Sequence, residues 1–290
     1  MSVLEGLTAW PVAHAAGAVI TADGVQFAGA CDRVFELASV TKVLVAEAVL
    51  IAVEEGAIGL DDPAGPPGAT VAHLLAHASG LDFATPAVRA PVGTQRLYSS
   101  AGFEVLAETV EAATGIPFPR YLHEAVCEPL GLASTELVGP AGHGARSTVA
   151  DLARLAADLL VPRLISPELL ARATGVWFPG LDGFVPGYGK HRPNDWGLGF
   201  EIRDHKSPHW TGSRNSPSTF GHFGQAGTFL WVDPCRESAC VVLTDRPFGS
   251  WAKPLWSEFN DTVVAALDCA VGASPGRTGP LAQHAPREAQ

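Results

Sequence analysis

Charge is scarce in this 290-residue sequence: 17% of its residues are charged and 47% are hydrophobic, a balance that excludes an intrinsically disordered chain. Basic residues are the rarer sign, the net charge is −11, and no basic stripe or run of five or six like charges occurs. Such a chain has little with which to neutralise phosphates, so nucleic acid is not an expected partner. Long hydrophobic runs are also missing. The longest, Val43 to Val53, is interrupted by Glu47 and is too short to span a bilayer. Met1 to Pro11 lacks the basic segment followed by an apolar run that marks export. The expectation is a cytoplasmic protein without a membrane partner. Cys31, Cys127, Cys235, Cys240 and Cys269 are odd in number and include no C-x-x-C pair, which speaks against a zinc site or redox dithiol and for reduced thiols. Cys235 and Cys240 could approach across a hairpin, but two small buried or half-buried side chains are the simpler reading.

The length allows one large domain or two interlocked ones. From Ala15 to Ala30 the pattern reads as two short strands joined at Asp23-Gly24, a strong hairpin signal. Ser39 then precedes Val40 to Glu55, which ends at Gly56 and predicts a helix with a serine N-cap and a glycine stop. That helix is apolar on almost every side, so it belongs in the interior. From Asp61 to Pro193 the chain turns mostly helical, with Thr148 and Ser166 as helix caps. Strand patterns return at Gly197 to Ile202, Gly227 to Val232 and Ala239 to Thr244, followed by a closing helix over Lys253 to Ala270. These spans divide the chain into a sheet-containing region (1–60 and 194–271), an inserted mostly helical region (61–193) and a flexible tail (272–290). Strands at both ends with helices between imply an antiparallel sheet flanked by helices and interrupted by an insertion.

Ser39-Val40-Thr41-Lys42 sets a hydroxyl at a helix start and an amine one turn further on the same face. A serine hydroxyl becomes a useful nucleophile when a base takes its proton, and an amine serves as that base only when neutral. Burial against Val43, Leu44 and Val45 and the positive end of the helix dipole would both lower the Lys42 pKa from its usual value near 10.4. Alone, S-x-x-K is a weak signal. Two further pieces follow it in order: Tyr98-Ser99-Ser100, at a loop before a helix, and Gly221-His222-Phe223-Gly224 followed by Gln225, on a late strand. Tyr98 could shuttle a proton if Lys42 lowered its pKa, although taken alone a half-buried aromatic with its hydroxyl satisfied, beside an ordinary cap, Ser99, is the better reading. His73 and His77, at i and i+4, lack the following glutamate of H-E-x-x-H, so a structural role is expected rather than a metal site. No nucleophile elbow, G-x-S-x-G at a strand-to-helix turn, is present. Trp177, Trp196, Trp210 and Tyr188 could line a cleft or pack a core.

With these pieces together the chain resembles the serine β-lactamase and penicillin-binding-protein superfamily, and within it the class C branch with its S-x-x-K, Y-x-N and K-T-G or H-x-G signatures. Phe35 to Lys42, Leu74-Leu-Ala-His-Ala-Ser-Gly-Leu81 and Gly221 to Pro234 carry the likeness, which covers roughly Gly17 to Thr244. It implies an α/β (α+β) β-lactamase/transpeptidase-like fold and a serine hydrolase that needs no cofactor or metal. It further implies Ser39 as nucleophile, Lys42 as general base, Tyr98 as proton relay, and the N–H groups of Ser39 and Gln225 as an oxyanion hole beside Gly224. Two positions depart from the family: Ser100 replaces an asparagine that helps hold acylamino substrates, and His222, partly charged near neutral pH, replaces a lysine that commonly binds a substrate carboxylate. Both favour a small-molecule ester or amide over a β-lactam. The expectation is therefore an esterase or amidase, with a β-lactamase, a D,D-peptidase or transacylase, and a non-turnover sensor as alternatives.

Overall fold

The hairpin signal at Asp23-Gly24 is realised as β1 (Ala15–Thr21) and β2 (Gly24–Gly29), paired in antiparallel register. The computed structural model describes residues 3–273. After a two-residue strand, β3 (Phe35–Glu36), come helices α1 (Thr41–Glu54), α2 (Val71–Leu75), α3 (Ala101–Thr114), α4 (Phe118–Leu122) and α5 (Glu128–Leu130). Strands β4 (Glu136–Leu137) and β5 (Ala145–Ser147) join β3 in a small sheet, and α6 (Val149–Leu160) and α7 (Pro167–Ala173) follow. The hairpin of β6 (Gly183–Val185) and β7 (Gly189–His191) leads to β8 (Glu201–Ile202), β9 (Phe220–Gly224), β10 (Thr228–Asp233), β11 (Ser238–Thr244) and the last helix, α8 (Ala252–Ala273).

The main sheet has the order β2-β1-β11-β10-β9-β8 and is antiparallel throughout. Successive side chains of a strand point to opposite faces, and the core divides accordingly. Ala239, Val241 and Leu243 of β11 and Leu230 and Val232 of β10 face α1 and α6, whereas Cys240, Val242, Phe229 and Trp231 face α8 and the N-terminal turn. Both faces are thus covered by helices, as expected from a sheet flanked by helices.

Helix α1 lies in the interior, with every residue from Thr41 to Ala52 buried. Both predicted caps form, Thr148 Oγ1 accepting from Asp151 N at 3.1 Å and Ser166 Oγ from Leu169 N at 3.2 Å. Two expectations need correction. Ser39 does not cap α1: it sits in a 3-10 turn over Ala38–Val40, and Val40 occupies the cap position. The strand expected over Gly197 to Ile202 is reduced to Glu201 and Ile202, because Leu198 N–H and Gly199 N–H bond to Ala173 O and Leu75 O instead of a strand. Gly199 also adopts a positive φ of 87° where a Cβ would fall 2.2 Å from the Ala46 side chain, so the segment turns against α1. The flexible tail expected over 272–290 lies, from residue 274, outside the described residues. The letters G-x-S-x-G do occur once, at Gly272 to Gly276, at the end of α8 rather than at a strand-to-helix turn, with Ser274 outside the described residues.

Candidate active site

The turn that carries Ser39 is held from two sides, by Ala145 of β5 and Thr228 of β10. Leu37 N–H donates to Ala145 O at 3.0 Å, Ala145 N–H to Thr41 Oγ1 at 3.0 Å, and Thr228 Oγ1 to Leu37 O at 2.8 Å. Ala38, just before Ser39, has φ of 46°, a left-handed conformation costly for a residue with a Cβ. Gly224, at the end of β9, comes so close that a Cβ there would fall 2.2 Å from Leu37 O. This contact brings the tip of β9, with Gln225 next in the chain, alongside the serine.

Lys42 is fully buried, and desolvation pulls its pKa down to about 7, against a smaller opposing pull from Glu104. The expected depression is therefore present. Its Nζ lies 3.4 Å from Ser39 Oγ, 3.1 Å from Ser100 Oγ and 2.7 Å from Gly142 O. A neutral amine has two hydrogens and one lone pair. The Gly142 carbonyl can only accept, so it takes one hydrogen; Ser100 Oγ takes the other; the lone pair is left for the Ser39 hydroxyl proton. Gly142 was not legible as a site residue, because it acts through a carbonyl that every residue possesses.

Tyr98 is half-buried, its ring 4.7 Å from Lys42 Nζ and its hydroxyl 3.3 Å from His222 Nε2. His222 Nδ1 lies 2.7 Å from Phe223 O, which can only accept, so Nδ1 carries the proton and Tyr98 O–H donates to Nε2. Two electrostatic expectations are overturned. Tyr98 is not acidified: burial of its hydroxyl raises its pKa, outweighing a hydrogen bond to Ser39. His222 is not partly charged: burial, reinforced by Lys42, lowers its pKa to about 3. It is a neutral acceptor at physiological pH.

Ser99 Oγ accepts from Gly102 N–H at 3.0 Å at the start of α3, where Ser100 occupies the cap position. His77 Nδ1 accepts from Ser99 N–H at 3.2 Å, and its ring packs on Tyr98, Phe103 and Trp196. His73 turns away to Thr70 and the ring of Phe178. His77 thus anchors the Tyr98 segment rather than facing His73 across a shared ligand. Trp196 is buried behind Tyr98 and His222, and Trp210 and Tyr188 are buried beside Phe223, so these rings pack rather than line the catalytic cleft. The cleft itself, a cavity of about 180 Å³, is lined by Ser39, Tyr98 and Gln225 with Phe83, Pro186 and Phe223. The sequence reading missed Phe83 and Pro186, which come from irregular segments with no periodicity to mark them.

A hydroxyl beside a buried lysine whose pKa is drawn down to about 7, with a tyrosine hydroxyl and a strand tip converging on it, is an arrangement suited to acyl transfer. The beta-lactamase family model matches residues 9–259. The chain belongs to the beta-lactamase family. As a member of that family it is a serine hydrolase. It is similar to the solved structure of a beta-lactamase from Mycobacterium bovis, with 59% identity, a TM-score of 0.91, and coverage of 92% of this chain and 99% of that one. A simvastatin synthase mutant from Aspergillus terreus shares the fold, with a TM-score of 0.75 at 17% identity over 91% of this chain and 93% of that one. The D-alanyl-D-alanine-carboxypeptidase/endopeptidase AmpH of Escherichia coli is 26% identical over 141 residues, 36% of this chain and 37% of that protein. The match spans about half the length, 48%, of other curated carboxypeptidase relatives. No helix among the described residues is long and apolar enough to cross a membrane.

Proposed function

We propose that this serine hydrolase is an esterase or amidase that acts through an acyl-enzyme on Ser39, with a preference for substrates that lack a carboxylate. Lys42 takes the proton of Ser39 Oγ as Oγ bonds to the acyl carbon. The bond from that carbon to the leaving oxygen or nitrogen then breaks, and the proton passes by way of Tyr98 O–H to the leaving group. Water reverses the sequence and frees the serine. The N–H groups of Ser39 and Gln225 serve as the oxyanion hole, a reading supported by their shared place on the cleft wall and by the close approach of Gly224 to Leu37. Ser100 holds the lysine in the role of the family's asparagine, supported by its 3.1 Å contact with Nζ.

The observation that carries the substrate preference is a cleft walled by Phe83, Pro186 and Phe223 with no cationic side chain in its lining, the family's lysine position being held by a neutral His222 buried behind Tyr98. A substrate carboxylate would lose its hydration there and gain no cation, at a cost of several kcal/mol. The nearby Lys206 is committed to Glu201 at 3.0 Å and to two backbone carbonyls. The proposal predicts that kcat/KM for a neutral p-nitrophenyl ester exceeds that for a penicillin or a D-alanyl-D-alanine peptide by about tenfold or more. Faster turnover of the penicillin would overturn it in favour of the second reading, a β-lactamase, which the naming of the 59% identical relative favours. A cytoplasmic location belongs to the same proposal, supported by five free thiols.

A further inference from the structure

We infer that Glu104 is a positioning residue for this reaction, acting on Lys42 through the backbone of the 139–144 loop. Its two carboxylate oxygens accept from the N–H groups of Ala141 at 2.9 Å and Gly142 at 2.8 Å, and the Gly142 carbonyl so fixed accepts from Lys42 Nζ at 2.7 Å. The inference rests on the acyl-enzyme reading given above, since it assigns Glu104 a task in preparing the base.

The loop Gly139-Pro-Ala-Gly-His-Gly144 is rich in glycine and has little tendency to hold one conformation by itself. It must nevertheless come very near α3. A Cβ at Gly142 would fall 2.7 Å from Ser100 Cβ and 2.9 Å from Ser100 O, so only glycine allows this carbonyl to reach the lysine. Glu104 stands in the first turn of α3, one turn from Ser100, and links helix and loop with two charge-assisted hydrogen bonds. The consequence is stereochemical. With Gly142 O and Ser100 Oγ each taking a hydrogen, the amine can present only its lone pair to Ser39. If the carbonyl drifts, the amine is free to turn an N–H toward Ser39 Oγ, and the serine proton loses its acceptor.

The titratable groups that face the amine are Glu104 from α3, His77 and Tyr98 from the segments before it, and His222 from β9. Both imidazoles are held neutral by burial, and Glu104 is the one carboxylate among the four. It therefore also favours the protonated amine. Removing its charge should ease deprotonation of Lys42 even as loss of the clamp spoils its aim, a combination that a merely structural residue would not produce.

The chain has four lysines, Lys42, Lys190, Lys206 and Lys253, so the Lys42 signal can be followed through a pH titration by NMR of 13Cε-lysine-labelled protein. Wild type, Glu104→Gln and Glu104→Ala would be titrated in this way, and kcat and KM for a p-nitrophenyl ester measured across the same pH range. The expected result is a lower Lys42 midpoint in both variants, an acid limb of kcat/KM that moves down with it, and a plateau kcat reduced by about tenfold or more at nearly constant KM. Glu104→Gln preserves size and polarity and guards against an alanine variant that fails to fold. A Lys42 midpoint and plateau kcat in Glu104→Gln equal to wild type would overturn the inference. So would losses that only track a falling thermal midpoint. A wild-type chain with neither turnover nor a Ser39 adduct would instead sink the acyl-enzyme reading, while the NMR midpoint would still report whether Glu104 governs the amine.

Discussion

Lys42 and Glu47 lie one and a half turns apart on the same buried helix, and burial shifts them in opposite directions. Lys42 falls from 10.5 to about 7, so in the fold it releases a proton that the unfolded chain retains between those values. Stability should rise with pH across that window, by at most about 1.4 kcal/mol per pH unit, and be insensitive to Lys42 below it. The same midpoint should appear in catalysis as an acid limb of kcat/KM that climbs through about pH 7, which a pH-rate profile checks. Glu47 rises from 4.5 to about 8, chiefly by desolvation, and neither carboxyl oxygen has a hydrogen-bond partner. Here the fold holds the extra proton, so stability should fall as pH rises from 4.5 to 8. Glu47→Met should flatten that slope and raise stability at pH 7.5 by roughly 1–4 kcal/mol, as read by urea unfolding at several pH values. Tyr98→Phe keeps the ring on Lys42 and removes the hydroxyl that faces His222. It should lower kcat by about 10²- to 10⁴-fold while KM changes little, measured with an ester whose leaving group needs a proton.

Strands β5, β9 and β10 converge on the nucleophile turn, and the side-chain contact from β10 can be removed by a single substitution. Thr228→Val on β10 deletes the hydrogen bond to Leu37 O and leaves that buried carbonyl without this partner, at about 1–3 kcal/mol. Because Leu37 immediately precedes the strained Ala38, the account expects kcat/KM to fall further than the stability loss alone explains, which ester kinetics well below the melting temperature would show. The hairpin, α1 and α6 were legible in the sequence because turn residues, caps and periodicity are local signals. The start of β8 was misread because Trp196 to Phe200 is apolar enough for a strand yet is bound by α2 and α7 rather than by a neighbouring strand. In the site, Ser39, Lys42 and Tyr98 were legible as side chains with chemistry at telling spacings. Gly142 and Glu104 were not, since the link from Lys42 to Gly142 spans 100 residues and runs through a backbone oxygen.

Across the molecule a net charge of −11 surrounds a cleft whose described lining carries no cationic side chain, so on the proposed reading the long-range field and the local site both disfavour anionic substrates. Raising ionic strength from about 0.01 to 0.15 M shortens the Debye length from roughly 30 to 8 Å. It should therefore raise kcat/KM for a carboxylate-bearing ester while a neutral ester of the same acyl chain stays constant, a comparison made by steady-state kinetics at fixed pH. The scale of the whole fold also explains why the substrate class was less legible than the chemistry. The determinants proposed for it, Phe83, Pro186 and the charge state of His222, depend on burial and on segments that meet only when the sheet and the helices close on one another. The central claim is that Ser39 forms the acyl-enzyme, and intact-protein mass spectrometry tests it most directly. Wild type and Ser39→Ala would be exposed to a p-nitrophenyl ester, a penicillin and a fluorophosphonate, with ester hydrolysis followed in parallel. The account predicts a stoichiometric adduct and turnover in wild type, both abolished in a folded Ser39→Ala variant, whereas an adduct that persists without Ser39, or a folded wild type that neither reacts nor turns over, would contradict it.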